Sequence, residues 1–152
     1  MGAALSRAYA GKLPLFIGLL DSAAIFLADL TRAVTIPCEF DVMAVKPLDG
    51  PSGVRIDKDT AIPIEGRHVI LVENTYATGR TLRYVMQTLA ARGPASLVAC
   101  LLLGRREPRL VDIPFEYLGF EISDERVVGY GLDADGRYRE LPSLYAYDAS
   151  PV

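Results

Sequence analysis

The fold turns on residues 68–82, HVILVENTYATGRTL. His68–Val72 is short, β-branched and apolar on both faces, the pattern of a parallel strand buried in a sheet. It ends in the acidic Glu73, passes through a small-residue loop with Thr78-Gly79, and gives way to a helix near Arg80. From Arg80 to Arg92, the residues Leu82, Val85, Met86, Leu89 and Ala90 fall on one helix face, and Gly93-Pro94 ends the helix. A strand, loop and helix in this order make an anion cradle. The backbone N–H groups of Ala77, Thr78, Gly79, Arg80 and Thr81 can point at one centre, joined by the helix N-terminus and the hydroxyls of Thr78 and Thr81. Gly79 permits the turn and lets a phosphate approach the backbone. Glu73 would hold a hydroxylated ribose or a magnesium ion beside that phosphate. The plainer reading is a βα turn with a Thr-Gly corner. It is not a P-loop, because no Gly-Lys-Ser/Thr is present.

Outward from this stretch, apolar runs and periodic segments alternate. Leu15–Leu20 is a short apolar run, and a helix is expected over Ser22–Ala33 with Asp21 as its cap. Glu39–Val45 alternates in places like a strand. A loop with Pro47, Asp49, Gly50, Pro51 and Gly53 follows. Ser96–Leu103 reads as a further buried strand, and Glu116–Phe120 and Val127–Tyr130 as shorter ones. No repeat or low-complexity segment is visible. The alternation implies an α/β sheet, mostly parallel, with ligands at the carboxyl ends of its strands.

The chain has 152 residues, the size of a single domain over 1–152. Its 16 Lys plus Arg against 19 Asp plus Glu give a net charge of −3, which argues against a nucleic-acid or polybasic membrane surface. Two distant cysteines make neither a disulfide framework nor a zinc site, and one histidine argues against a Ser-His-Asp centre. Cys38 and Cys100 read as buried, inert thiols, and His68 as a strand-end residue near the surface. No apolar run approaches the length of a bilayer span. Leu13–Leu20 after Arg7 and Lys12 loosely imitates a signal peptide, but Asp21 stops it without a clear cleavage site. Met1–Ser6 fits a loose myristoylation pattern with no second anchor and reads as a helix start. Asp133-Ala134-Asp135-Gly136 lacks the further ligands of a calcium loop, and Gly129-Tyr130-Gly131 is not a dinucleotide fingerprint. Tyr84 reads as a helix-surface residue; Tyr76 stands where a bound nucleotide would pass. The chain reads as a soluble cytoplasmic domain.

The strand, acidic position and Thr-Gly-x-Thr loop of residues 68–81 resemble the phosphoribosyl-diphosphate motif of the type I phosphoribosyltransferases. Leu15–Leu30, Glu39–Val45, Arg92–Ser96 (RGPAS) and Leu118–Asp133 (LGFEISDERVVGYGLD) with Tyr138-Arg139 resemble the hypoxanthine-guanine branch in order and spacing. The resemblance implies a twisted, mostly parallel sheet flanked by helices, with a reduced hood over a purine. It implies transfer of ribose 5-phosphate from phosphoribosyl diphosphate to N9 of a purine base, with Mg2+, releasing pyrophosphate. It also implies a homo-oligomer, dimer or tetramer.

Residue by residue the carry-over is uneven. Thr78, Gly79 and Thr81 match the phosphate loop, and Glu73 matches the first acid of the ribose pair. The second acid reads Asn74, which carries no charge but can still hydrogen-bond a ribose hydroxyl. Ala77 stands at the family's general-base aspartate and cannot accept a proton. The Lys-Gly pair whose backbone holds pyrophosphate reads Asp21-Ser22, and an acidic Asp21 should repel a diphosphate. Lys46–Gly53 replaces a longer mobile loop and lacks its Ser-Tyr pair. The lysine that reads the purine's exocyclic oxygen falls on Pro114, and the stacking aromatic on Arg126, whose guanidinium plane can also stack. Val127 would offer backbone groups to a base. Asp133 and Arg139 match positions near the base, the metal and the pyrophosphate, so Glu73 and Asp133 are the implied Mg2+ ligands. Three functions follow: a purine phosphoribosyltransferase of weak or lost activity, a nucleotide or sugar-phosphate binder without turnover, and an oligomer partner for a complete enzyme. The binder would take a nucleoside monophosphate.

Overall fold

A computed structural model describes residues 1–48, 54–75, 79–105, 115–123 and 125–148. The described elements are α1 (Gly2–Ala8), β1 (Leu15–Leu20), α2 (Ala24–Ala33), β2 (Glu39–Pro47), β3 (Val54–Lys58), β4 (His68–Thr75), α3 (Arg80–Ala90), β5 (Ser96–Arg105), β6 (Phe115–Ile122), β7 (Val127–Val128) and β8 (Tyr145–Ala146). Six strands form one sheet in the order β3-β2-β1-β4-β5-β6, and β7 pairs with β8 in a small second sheet. β1, β2, β4, β5 and β6 run parallel, whereas β3 runs antiparallel to β2 at one edge.

The strands at the centre are apolar on both faces because both faces are covered. Val69, Ile70, Leu71 and Val72 of β4 are all fully buried. Their alternation sends Ile70 and Val72 into a cluster with Phe16, Phe26, Leu27 and Leu30, under α2. Val69 and Leu71 enter the opposite cluster with Leu82, Val85 and Leu89 of α3. The apolar stripe expected on α3 is therefore the face that meets the sheet.

The outline follows the expected α/β arrangement, with several local differences. β4 runs to Thr75 rather than ending at Val72, because Glu73 and Thr75 stay in register with Leu101 and Leu103 of β5. α2 begins at Ala24 with Ala23 as its N-cap and no side-chain cap, so Asp21 does not cap it. Residues 21–23 form a turn instead, and the Ser22 hydroxyl bonds across to β4. Cys38 precedes β2 and is half-buried, whereas Cys100 is fully buried. β3 and β8 had no counterpart in the sequence reading.

The segment after β3 is tied down by one carboxylate. Asp41 on β2 accepts from Thr60 Oγ1 at 2.7 Å, Ala61 N–H at 2.6 Å, Ile62 N–H at 3.1 Å and Val42 N–H at 2.7 Å. Burial works to raise its pKa, but these four donors outweigh burial and hold the carboxyl far below its ordinary range.

Candidate active site

The carboxyl ends of β1 and β4 lie side by side, since Gly18 pairs with Val72. The turn after β1 therefore meets the end of β4. There Ser22 Oγ donates to Glu73 Oε1 at 2.6 Å, and the Asn74 N–H donates to the same oxygen at 2.7 Å. Burial pushes the Glu73 carboxyl up to about 7, against the lowering effect of Ser22, the Asn74 and Thr75 N–H groups and the Arg139 charge. Asp21 is exposed beside it, and the Leu20–Asp21 peptide is cis.

Asn74 is fully buried and works inward. Its Nδ2 donates to the Tyr130 carbonyl at 2.8 Å, while its Oδ1 is buried with no hydrogen-bond partner among the described residues. An aspartate here would turn a negative oxygen toward that carbonyl, so the neutral amide is what permits the tether. Gly131 makes the approach possible from the other side. It has φ of 94°, and a Cβ there would lie 2.0 Å from the Ser22 carbonyl oxygen.

The tethered loop carries the remaining groups. Gly131 N–H donates to the Arg139 carbonyl at 2.9 Å, and Arg139 Nη1 donates to the Gly131 carbonyl at 2.7 Å. Arg139 Nη2 also meets Asp133 Oδ1 at 2.9 Å, and the Gly136 N–H donates to Asp133 Oδ2 at 2.7 Å. Tyr130 donates through its hydroxyl to Asp29 Oδ2 on α2 at 2.6 Å. Burial and that carboxylate push the phenol up to about 12.

On the cradle side, Gly79 is the N-cap of α3 with φ of 78°, the left-handed turn expected of it. Among the described residues no side chain caps this N-terminus, and no acidic residue stands in the first helical turn. Arg80 is exposed and Thr81 half-buried. Ala77 and Thr78, with Tyr76, lie outside the described residues, as does Pro114.

Of the residues that the resemblance places at a purine, Val127 lies on the small sheet and Arg126 just before it. Tyr147 N–H donates to the Arg126 carbonyl at 2.7 Å, while Val127 stands opposite Ala146. Bonded and non-bonded pairs alternate in an antiparallel ladder, so the N–H and C=O of Val127 turn away from β8. The Arg126 guanidinium lies over the Tyr147 ring, 5.1 Å from its centroid.

The sequence-selected residues thus form two groups. Ser22, Glu73, Asn74, Asp133 and Arg139 are linked through hydrogen bonds and charge, and Arg126 and Val127 share a strand edge. No group of three metal-ligating side chains occurs among the described residues. Glu73 and Asp133 carry hard carboxylate oxygens, the donor type that Mg2+ takes, and one or two carboxylates commonly suffice when substrate phosphates complete its shell.

Comparison with known proteins identifies the family. The model of the phosphoribosyl transferase domain matches residues 3–135. The chain belongs to that family. A hypoxanthine-guanine phosphoribosyltransferase of Mycobacterium avium is 39% identical over 147 residues, covering 94% of this chain and 72% of that protein. A hypoxanthine-guanine phosphoribosyltransferase of Bacillus anthracis, with a HEPES molecule in its active site, superposes with TM-score 0.93 at 31% identity. That match covers 97% of this chain and 89% of the other. The hypoxanthine phosphoribosyltransferase of Trypanosoma cruzi in complex with the product IMP gives TM-score 0.93 at 32% identity, covering 97% and 86%. The mostly parallel sheet with flanking helices is the type I phosphoribosyltransferase fold. Among the described residues no helix is long and apolar enough to cross a membrane.

Sequence reading missed three participants: Tyr130, Asp29 and Tyr147. The Gly-Tyr-Gly run at 129–131 was the available signal for Tyr130, since paired glycines mark a backbone that must turn or be approached closely. Nothing local marks the contact of Asp29 with Tyr130, about a hundred residues on, or that of Tyr147 with Arg126.

Proposed function

We propose that this phosphoribosyltransferase-family chain transfers the 5-phosphoribosyl group of phosphoribosyl diphosphate to N9 of hypoxanthine or guanine, at a rate limited by Ala77. The observation that carries the reading is the β4–α3 turn, where the acidic Glu73, the left-handed Gly79 and an uncapped helix N-terminus follow one another. In this reading the N–H groups of residues 77–81 and the hydroxyls of Thr78 and Thr81 hold the 5′-phosphate. Glu73, steadied by Ser22 and Asn74, accepts hydrogen bonds from the ribose hydroxyls. Asn74 serves that site through the Tyr130 tether. Arg139 and the turn at Asp21-Ser22 face the pyrophosphate, and Arg126, Val127 and Asp133 face the purine. Glu73 and Asp133 would hold Mg2+, which neutralises the departing pyrophosphate. The bond from C1′ to the diphosphate oxygen breaks, N9 bonds to C1′, and the imidazole proton must leave. The family position that would take it holds Ala77.

That absence favours a second reading, binding of a nucleoside monophosphate or sugar phosphate without turnover. One incubation separates the two: protein, phosphoribosyl diphosphate, Mg2+ and hypoxanthine or guanine. Nucleotide formed above background supports transfer. Folded protein that binds IMP yet forms none supports the binder. The chain is further proposed to act as one domain over 1–152, as a cytoplasmic homo-oligomer, dimer or tetramer; the third reading, an oligomer partner, has no separate support.

A further inference from the structure

We propose that Ser22 is a specificity-determining residue: its hydroxyl takes the place on Glu73 of one of the two hydroxyls of a ribose. The site then holds the sugar by a single hydroxyl and accepts deoxypentose phosphates alongside ribose phosphates. This rests on the placement of the ribose at Glu73 under the proposed function, and narrows it from two hydroxyls to one. The support is a count of acceptors. An ionised carboxylate has about four lone-pair sites. Ser22 Oγ fills one at 2.6 Å, the short distance of a hydroxyl donating to a carboxylate. The Asn74 N–H fills another on the same oxygen at 2.7 Å, and the Thr75 N–H takes a third. Room for one further donor remains.

Asn74 does not make up the difference. It is fully buried, its Nδ2 is spent on the Tyr130 carbonyl at 2.8 Å, and its Oδ1 is buried as well. The Ser22 hydroxyl, meanwhile, is held in place. Ala23 beside it is fully buried and donates its N–H to the Leu19 carbonyl at 3.0 Å. From the other side Gly131 packs so closely that a Cβ there would lie 2.0 Å from the Ser22 carbonyl oxygen. A ribose hydroxyl that displaced Ser22 would break one hydroxyl–carboxylate bond to make another of the same kind, with no net gain. Glycine, the residue that the resemblance places here, has no hydroxyl to offer. The competition belongs to this chain.

The test is calorimetric titration of the full chain with IMP, 2′-deoxy-IMP and 3′-deoxy-IMP, at pH 8 and without Mg2+, which would compete for the free carboxylate oxygen. In the parent, removing one hydroxyl should weaken binding about tenfold, the worth of a hydrogen bond to a charged group. Removing the other should change it by less than about twofold. Ser22→Ala frees the occupied place, so loss of either hydroxyl should then cost about tenfold. Ser22→Thr keeps a hydroxyl and should keep the parent pattern, a rescue that a loss of folding would not show. A parent that needs both hydroxyls, or a Ser22→Ala chain that binds IMP and still needs only one, overturns the proposal and leaves the proposed function standing. A parent that binds all three nucleotides alike, or none of them, overturns the placement of the ribose at Glu73 and the proposal with it.

Discussion

The proposed phosphate and ribose side of the site is built on long strands at the centre of the sheet, whereas the proposed base side rests on a two-residue ladder. Glu73 and Asn74 continue β4, whose preceding residues Val69–Val72 are wholly buried, and β4 is paired on both sides. Arg126 and Val127 depend on β7 and β8, which are two residues each, and on the contact with Tyr147. The difference shows where substitutions are absorbed. On the central side Asn74 is a structural tether, bonded through Nδ2 to the Tyr130 carbonyl. The outlying side has Arg126 resting over the Tyr147 ring.

The largest effect that would break this contrast is catalytic. Restoring the proton acceptor by Ala77→Asp should raise nucleotide formation by about 10²–10⁴, the usual worth of general base catalysis. A steady-state assay with saturating base measures it. If the rate stays at the parent level while IMP affinity is intact, proton removal is not what this chain lacks.

Next in size is the cradle. Gly79→Val forces a β-branched side chain into φ of 78° at the mouth of α3. IMP affinity should fall by about 1–3 kcal/mol, the penalty for phosphate oxygens left without partners. Equal affinity for IMP in Gly79→Val and parent would put the phosphate elsewhere.

Glu73 gives a pH test of the same side. Its folded pKa of about 7 lies above the ordinary 4.5, so the folded state binds this proton more tightly than the unfolded chain. The stabilisation it contributes is full below the unfolded value and is lost as pH rises through about 7. Glu73→Gln removes that loss. The variant should gain on the parent between pH 5 and 8 in paired thermal melts, by no more than about 3 kcal/mol, and should bind the ribose hydroxyls less well at pH 8. A pH-independent difference between variant and parent would contradict the buried setting.

The smallest effect lies away from the site. Asp41→Asn weakens the three hydrogen bonds that hold residues 60–62, and should cost about 1–2 kcal/mol near neutral pH. The Asp41 pKa is depressed in the fold, so this contribution is present above the unfolded value and fades as pH falls through the carboxylate range. Nucleotide affinity should not move. A stability gap that persists undiminished in acid would mean that the ionised carboxylate is not the source.

What could be read from sequence follows the same division. β4, α3 and the Gly79 turn were legible because each is specified locally, by β-branched runs, a helical stripe and a residue suited to left-handed backbone. β3, Val54–Lys58, escaped because its half-exposed alternation of Val54, Ile56 and charged residues follows directly on a Gly/Pro loop. β8 is only two residues long and is defined by its partner. Asp21 looked like a cap because its type suits one, but the chain turns through residues 21–23 and spends the Ser22 hydroxyl on Glu73, 51 residues away. Asn74 was identified as a site position, while its tether to Tyr130, 56 residues on, required the folded chain. Resemblance marked which positions had changed; the structure supplies what Asn74, Ser22 and Arg126 now touch.

The most direct measurement is titration of the intact chain with IMP, with and without the Gly79→Val substitution. A saturable site that the substitution weakens is the predicted result, whatever the turnover rate. A folded chain that binds no purine nucleotide, or binds it equally well after Gly79→Val, would contradict the assignment of this turn as the phosphate site.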